Sequence, residues 1–230
     1  VSGFATIFYF HKHYPSRGHA IIERRGSEPD TRDAAEAVAR HVGLDVIVNA
    51  VINSRREIAG VFVGDLVQAH RQGAQFARQT YGTAIPEDIR RSTDLIVINA
   101  YPLDADSIQL GKSLWVRDYF DRGYAIAINP CSDGICYHGI YDGMSYGRFL
   151  KQRAAREPME IPAPRIGDPE HLLVCSEHYP VEDFYQEYSD YILHRDWDTP
   201  IRMLAEKLPP KARVAVFPCA SIQVPTKPCS

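Results

Sequence analysis

The stretch Asp94-Leu-Ile-Val-Ile-Asn-Ala-Tyr-Pro-Leu-Asp104 decides the fold. Its run Leu95 to Ile98 is apolar without alternation, the pattern of a strand covered on both faces, as in a parallel sheet. A polar loop, Tyr101 to Asp106, follows, and then a helix predicted from about Ser107 to Phe120. Tyr124-Ala-Ile-Ala-Ile-Asn129 repeats the buried-strand pattern. Strand, helix and strand in that order make a crossover unit, which is right-handed in nearly all folds.

The same alternation continues downstream. His171-Leu-Leu-Val-Cys175 and Arg213-Val-Ala-Val-Phe217 read as further buried strands. Helices are predicted over Val181 to Leu193, and from Asp198-Thr-Pro200 to just before Pro209, with proline in a first-turn position. Between residues 130 and 170 a Gly-, Cys- and Tyr-rich loop, Pro130 to Gly143, leads to a helix ending near Arg156 and a proline-marked connection. The tail beyond Phe217 has little pattern.

Upstream, Asp30 to His41 places Ala34, Ala35, Val38 and Val42 at helical spacing. Asp45 to Ile52 and Glu57 to Val63 read as two strands joined by the turn Asn53-Ser-Arg-Arg56, a β-hairpin. Gly64-Asp65 opens a helix to about Tyr81, closed by Gly82, with Leu66, Ala69, Ala74, Ala77 and Tyr81 as its buried stripe. The expected fold is α/β: a Rossmann-like layered domain with a mainly parallel sheet, preceded by a β-hairpin segment.

Composition narrows the function classes. With 45% hydrophobic and 24% charged residues and a net charge of −3, the chain carries no basic field for nucleic acid or an anionic membrane. No apolar run reaches the roughly 20 residues of a membrane span, and the apolar residues Val1 to Phe10 lack a basic leader and a cleavage site. A cytoplasmic location is therefore expected. The start at Val1-Ser-Gly3 without Met reads as that of a processed or truncated product. No GxGxxG follows the first parallel strand, and no GxxxxGK[ST], HExxH or GxSxG is present.

Ligands of such sheets sit beyond the carboxyl ends of the strands, which here means the loops Asn99 to Asp106 and Asn129 to Gly143. Gln109 and Lys112 lie three apart on the helix after the first of these loops and share a face. An amide and an ammonium there suit a small carboxylate or phosphate, and equally suit a solvated helix surface. His11, His13 and His19 form a histidine-rich start that reads either as metal-binding or as solvated. Cys131, Cys136 and His138 are a weak zinc candidate, since no second cysteine pair accompanies them. The odd count of five cysteines argues against a disulfide framework, and Cys175 reads as a small core residue. Tyr137, Tyr141 and Tyr146 either line the second loop or pack within it.

Taken together, these segments resemble the C-terminal part of the lactate racemase family, whose members use a nickel-pincer nucleotide. Val1-Ser-Gly-Phe-Ala-Thr-Ile-Phe-Tyr-Phe-His11 is similar to a family stretch that ends in a nickel-coordinating histidine. Gly43 to Ile52, Gly60 to Asp65, Ala69-His70 and Tyr81-Gly82 resemble the family's hairpin and the helix after it. Asp94 to Asp104 through Gln109-Leu-Gly-Lys112 resembles a stretch holding a glutamine and a lysine near the substrate, and Ala212 to Pro218 resembles the closing strand. The likeness is good over residues 1–130 and loose beyond. Around Cys131 to Gly143 and Gly167 to His178 the family's Gly-His-Lys-Ala-like segment has no good match.

The resemblance implies residues 1–30 as a segment at the junction with an N-terminal catalytic domain, and residues 31–230 as the C-terminal α/β domain. It implies a 2-hydroxy acid racemase or epimerase as parent, with Gln109 and Lys112 at the substrate and His11 as the metal ligand. The nickel-pincer nucleotide would be attached to a lysine upstream of Val1. The implied partners are the small 2-hydroxy acid and the chain's own N-terminal domain, and an oligomer is compatible with this reading. The isolated chain is expected to hold no cofactor and to be inactive. The alternative reading is a non-catalytic α/β module that closes over substrate or drives oligomerisation.

Overall fold

The computed structural model describes residues 31–134, 140–141, 144–145, 170–187 and 191–226. They fall into two compact units: residues to Thr83 together with Ile222–Thr226, and residues from Ala84 to Ser221.

The first unit contains helix α1 (Thr31–His41), the antiparallel strands β1 (Val46–Ile52) and β2 (Ile58–Asp65), helix α2 (Leu66–Tyr81) and the short strand β3 (Gly82–Thr83). The hairpin forms as the turn chemistry predicts. Asn53 Oδ1 accepts the backbone N–H groups of Arg55 at 2.8 Å and Glu57 at 3.0 Å, closing a side-chain-mediated turn in which Arg56 takes φ 63°. Asp65 caps α2, accepting from Val67 N at 3.0 Å and Gln68 N at 2.9 Å. Two otherwise orphaned donors are thereby satisfied. The Gln68 bond, with the Val67 bond and nearby arginines adding to it, holds the Asp65 carboxyl below its ordinary range.

One packing expectation for this unit is corrected. The buried line of α2 is Leu66, Val67, Ala69 and Gly73, whereas Ala74, Ala77 and Tyr81 are only partly buried. The reason is Phe62 on β2: a side chain at Gly73 would start 3.2 Å from its ring, and Phe76 stacks at a tilt with centroids 5.5 Å apart. The helix expected over Asp30 to His41 is present; on it Val38 is exposed and Glu36 is buried, 3.8 Å from Arg71, and Val42 just after it is exposed. The tail is also more ordered than its sequence suggests. Strand β11 (Val224–Pro225) pairs in parallel with β3, and Gln223 Nε2 donates to Thr83 Oγ1 at 3.1 Å.

The second unit is the α/β layer. Its elements are α3 (Glu87–Ser92), β4 (Leu95–Asn99), α4 (Ser107–Ser113), a 3-10 segment (Leu114–Tyr119), β5 (Tyr124–Ile128), β6 (Ile140–Tyr141), β7 (Met144–Ser145), β8 (Leu172–Cys175), α5 (Val181–Glu187), β9 (Leu193–His194), α6 (Asp198–Ala205) and β10 (Val214–Phe217). Strands β10, β4, β5, β8 and β9 form one five-stranded sheet in that order, and every pairing in it is parallel. The expected α/β class, with a parallel sheet and a preceding hairpin, is what the structure has.

Both sheet faces are covered, as the unbroken apolar runs require. Ile96, Ile98, Ala125, Ala127, Leu172 and Val174 pack with Leu110, Trp115, Val116 and Phe120 on one side. Leu95, Val97, Ile126, Leu173 and Cys175 pack with Leu204 on the other. At the amino edge Asp94 accepts from Arg213 N at 3.0 Å and from Arg122 Nη2 at 2.5 Å, bonds that lower its pKa and tie β10 to β4.

Two helix expectations change here. The helix after β4 is α-helical only to Ser113 and then tightens to 3-10 geometry, in a segment weakened by Gly111 and Ser113. Helix α5 is described over Val181–Glu187, and Leu193 belongs to an edge strand against Val174. The tertiary pairing overrides a helical spacing that local sequence alone allowed. The helix expected to end near Arg156 lies outside the described residues, apart from Met144–Ser145, which are in β7. Among the described residues no helix is long and apolar enough to cross a membrane.

Candidate functional site

The strand order turns back between β4 and β10, so the carboxyl ends of these two strands form the topological switch point where α/β sheets bind ligands. The loop leaving β4 is fixed by backbone groups. Asn99 Oδ1 accepts from Tyr101 N at 3.1 Å, and the Tyr101–Pro102 peptide is cis. Ala220 N donates to Asn99 O at 2.9 Å, and Ser221 Oγ donates to Tyr101 O at 3.0 Å. The segment after β10, which sequence reasoning left without a role, thus anchors the loop beside β4. The usable signal was its position: a last strand placed next to the first brings its exit to the switch point.

A second set of bonds clamps that loop to the exit of β5. Cys131 N donates to Asp104 O at 2.9 Å, Asp133 N to Ala105 O at 2.7 Å, and Ser107 N to Gly134 O at 3.3 Å. Asn129 is fully buried and donates from Nδ2 to Asp106 O at 2.9 Å, while its Oδ1 has no hydrogen-bond partner among the described residues. A buried, half-satisfied amide is uncommon in folded proteins and marks strain or a functional edge. Asp104 and Ser107 are buried in the same region.

Helix α4 starts from this clamped loop and carries both residues singled out by sequence. Leu110 and Ser113 face the core, which leaves Lys112 exposed. Gln109 is in the first turn of the seven-residue helix and Lys112 in the last, three positions apart and so neighbours along one side. The side chain of Gln109 lies outside the described residues. So do His11, Cys136 and His138.

Cys131, the described member of the zinc candidate, is sealed, and its thiol donates to Gly134 O at 3.2 Å. Cys175 is a core residue as expected, its thiol pushed up to about 12, by burial first and by Asp196 second. His194 pairs with Cys175 in register, and burial lowers its pKa although Asp196 opposes this. Among the described residues no group of three or more His, Cys, Asp or Glu could hold a metal ion. These residues by themselves do not fit a nickel cofactor.

No family model matches the chain. The lactate racemase of Lactiplantibacillus plantarum is 30% identical over 110 residues, covering 46% of this chain and 25% of that protein. The lactate racemase of Thermoanaerobacterium thermosaccharolyticum is 29% identical over 138 residues, covering 59% of this chain and 29% of that protein. The solved lactate racemase apoprotein of the latter organism superposes with a TM-score of 0.60 at 18% identity, over 87% of this chain and 50% of that one. The chain is related to the lactate racemase family. At that identity the solved structure shows a shared fold, and the kinship itself rests on the two curated lactate racemases. The chain spans about half the length of the solved lactate racemase, and its matched stretches span under a third of the curated ones.

Proposed function

We propose that the chain is the C-terminal part of a nickel-pincer-dependent 2-hydroxy acid racemase or epimerase, acting in the cytoplasm. In this reading Lys112 holds the substrate carboxylate, Gln109 hydrogen-bonds to the substrate, and His11 is the one metal ligand the chain contributes. The observation that carries it is the placement of α4. Its core-facing Leu110 and Ser113 and the clamped loop before it hold an exposed ammonium beside the carboxyl edge of a parallel sheet. That edge is the general location of ligands in such folds. Kinship with lactate racemases supplies the class of substrate.

The chemistry of this chain's residues is electrostatic. A fixed cation that orients a small carboxylate also stabilises negative charge gathering in the transition state. The pincer cofactor, when bound in the parent, would accept the hydride from the α-carbon.

The test is Lys112→Ala in the racemase-length protein, with chiral chromatography of the hydroxy acid product. Removing one such donor lowers kcat/KM by about 100-fold in comparable sites. Lys112→Arg restores part of the loss, because charge survives while geometry changes. Unchanged turnover in Lys112→Ala would instead identify the unit as a non-catalytic closing or oligomerising module.

A further inference from the structure

We propose that His194 is an acid-sensitive latch on the edge of the parallel sheet: when its imidazole takes up a proton, strand β9 comes off β8 and loosens the loops at the carboxyl ends of β8 and β5. The device lies within the second unit and does not depend on the functional reading above.

Strand β9 is two residues long and has a neighbour on one side only. Leu193 packs into the core on the α4 side of the sheet. His194 takes the opposite face, where its register partner Cys175 packs with Leu173 and Leu204. His194 is 7% exposed, and its Nε2 is sealed with no hydrogen-bond partner among the described residues. A neutral imidazole tolerates such a place, since one of its ring nitrogens carries no proton. The imidazolium carries a proton on both, and so buries a charged donor with nothing to accept it.

The groups described around the ring do not supply that acceptor. From β8 the facing group is Cys175, whose thiol is pushed up to about 12 and stays neutral. Arg195 turns away, its Nη1 donating to Ser176 O at 3.0 Å and Glu177 O at 2.9 Å. On α6, Asp198 and Arg202 are exposed. Asp196 is the carboxylate whose charge favours the imidazolium, but burial outweighs it. Both its oxygens are taken by Thr199, Oδ1 by the backbone N at 2.7 Å and Oδ2 by the hydroxyl at 3.0 Å. Those bonds hold Asp196 below the ordinary carboxylate range, so it stays ionised while His194 titrates. Burial places the folded-state pKa of His194 below the ordinary 6.5. The latch is therefore at full strength above that value and weakens as pH falls from it through the folded-state pKa.

The hydrogen bonds show what the latch holds. Ser176 N donates to His194 O at 2.9 Å, and Ser176 Oγ donates to Pro130 O at 3.2 Å. His178 N reaches the same oxygen at 3.0 Å. The next residue, Cys131, is bonded through its N to Asp104 O, in the loop that launches α4. Strand β9 thus braces, through Ser176, the exit of β5 and the candidate site beside it.

Amide exchange of the 230-residue chain at pH 7.5 and pH 5, corrected for the intrinsic pH dependence of exchange, tests this beside an NMR titration of the histidine rings. Protection of the Ser176 amide is expected to fall by roughly threefold or more at the lower pH, while the amides of β4 keep theirs. The fall should follow the titration of His194, below pH 6.5. In His194→Leu, which suits the apolar site and cannot take up a proton, protection at Ser176 should be equal at both pH values. His178→Gln, at the exposed histidine 3.6 Å from Glu177, should keep the fall. Protection that does not change with pH in the native chain would overturn the latch, as would a fall that survives in His194→Leu or vanishes in His178→Gln. If His194→Leu does not fold, the native titration decides: a His194 ring that titrates at or above 6.5, or a fall that does not track it, overturns the proposal.

Discussion

Asn129→Asp is the sharpest perturbation of the loop clamp that launches α4. In the native chain the amide is fully buried and gives one hydrogen bond, from Nδ2 to Asp106 O at 2.9 Å. The substitution changes almost no volume, yet it replaces that donor with a carboxylate oxygen facing a carbonyl. The lost bond and the uncompensated buried charge together cost about 3 kcal/mol at pH 7. A carboxyl so penalised has a folded-state pKa above its unfolded value, by about 2 units at 1.36 kcal/mol per unit. The sign follows: the penalty is full above the folded pKa and fades as pH falls through it, because the protonated acid can donate to Asp106 O again. Urea unfolding followed by Trp115 fluorescence at pH 7 and pH 4.5 measures this directly, since that indole is buried and bonded to Ala220 O at 2.9 Å. At pH 7 the variant is expected to melt roughly 6–12 °C below the native protein, given 2–4 °C per kcal/mol for domains of this size. Native-like stability at pH 7, or a deficit that does not shrink on acidification, would refute the argument that this bond holds the loop.

Two further outcomes follow from the geometry. Gly123 has φ +106°, and a side chain there would start 2.9 Å from the backbone oxygens of Thr93 and Asp94; Gly123→Ala should therefore destabilise the second unit by about 2 kcal/mol in urea titration. Cys131 and Cys175 are buried, and Cys175 is pushed up to about 12, so iodoacetamide at pH 8 should label neither until denaturant is added, as peptide mass spectrometry would show.

What the sequence made legible was local or periodic. Leu95 to Ile98 and Ala125 to Ile128 read as parallel strands because burial on both faces writes itself as an unbroken apolar run. Asp65 announced its helix because capping needs a short acceptor at that one position. What stayed hidden depends on partners distant in sequence. Leu193 is a strand residue only because Val174 stands beside it, and β11 exists only against β3. Gly73 rather than Ala74 is buried on α2 because Phe62, eleven positions earlier on another element, needs the space. Spacing and resemblance single out Gln109 and Lys112. They do not single out the buried amide of Asn129 or the hydroxyl of Ser221, since each acts by bonding backbone across a long loop closure.

The most direct measurement of the central claim is interconversion of the two enantiomers of a small 2-hydroxy acid, lactate first, by the racemase-length protein and by the 230-residue chain, each supplied with nickel and followed by chiral chromatography. The account predicts interconversion by the long protein, none by the chain alone, and weak nickel binding by the chain. Racemisation by the isolated chain, or nickel held by it at one equivalent with nanomolar affinity, would contradict it. So would a long protein that binds its cofactor and leaves every 2-hydroxy acid unchanged.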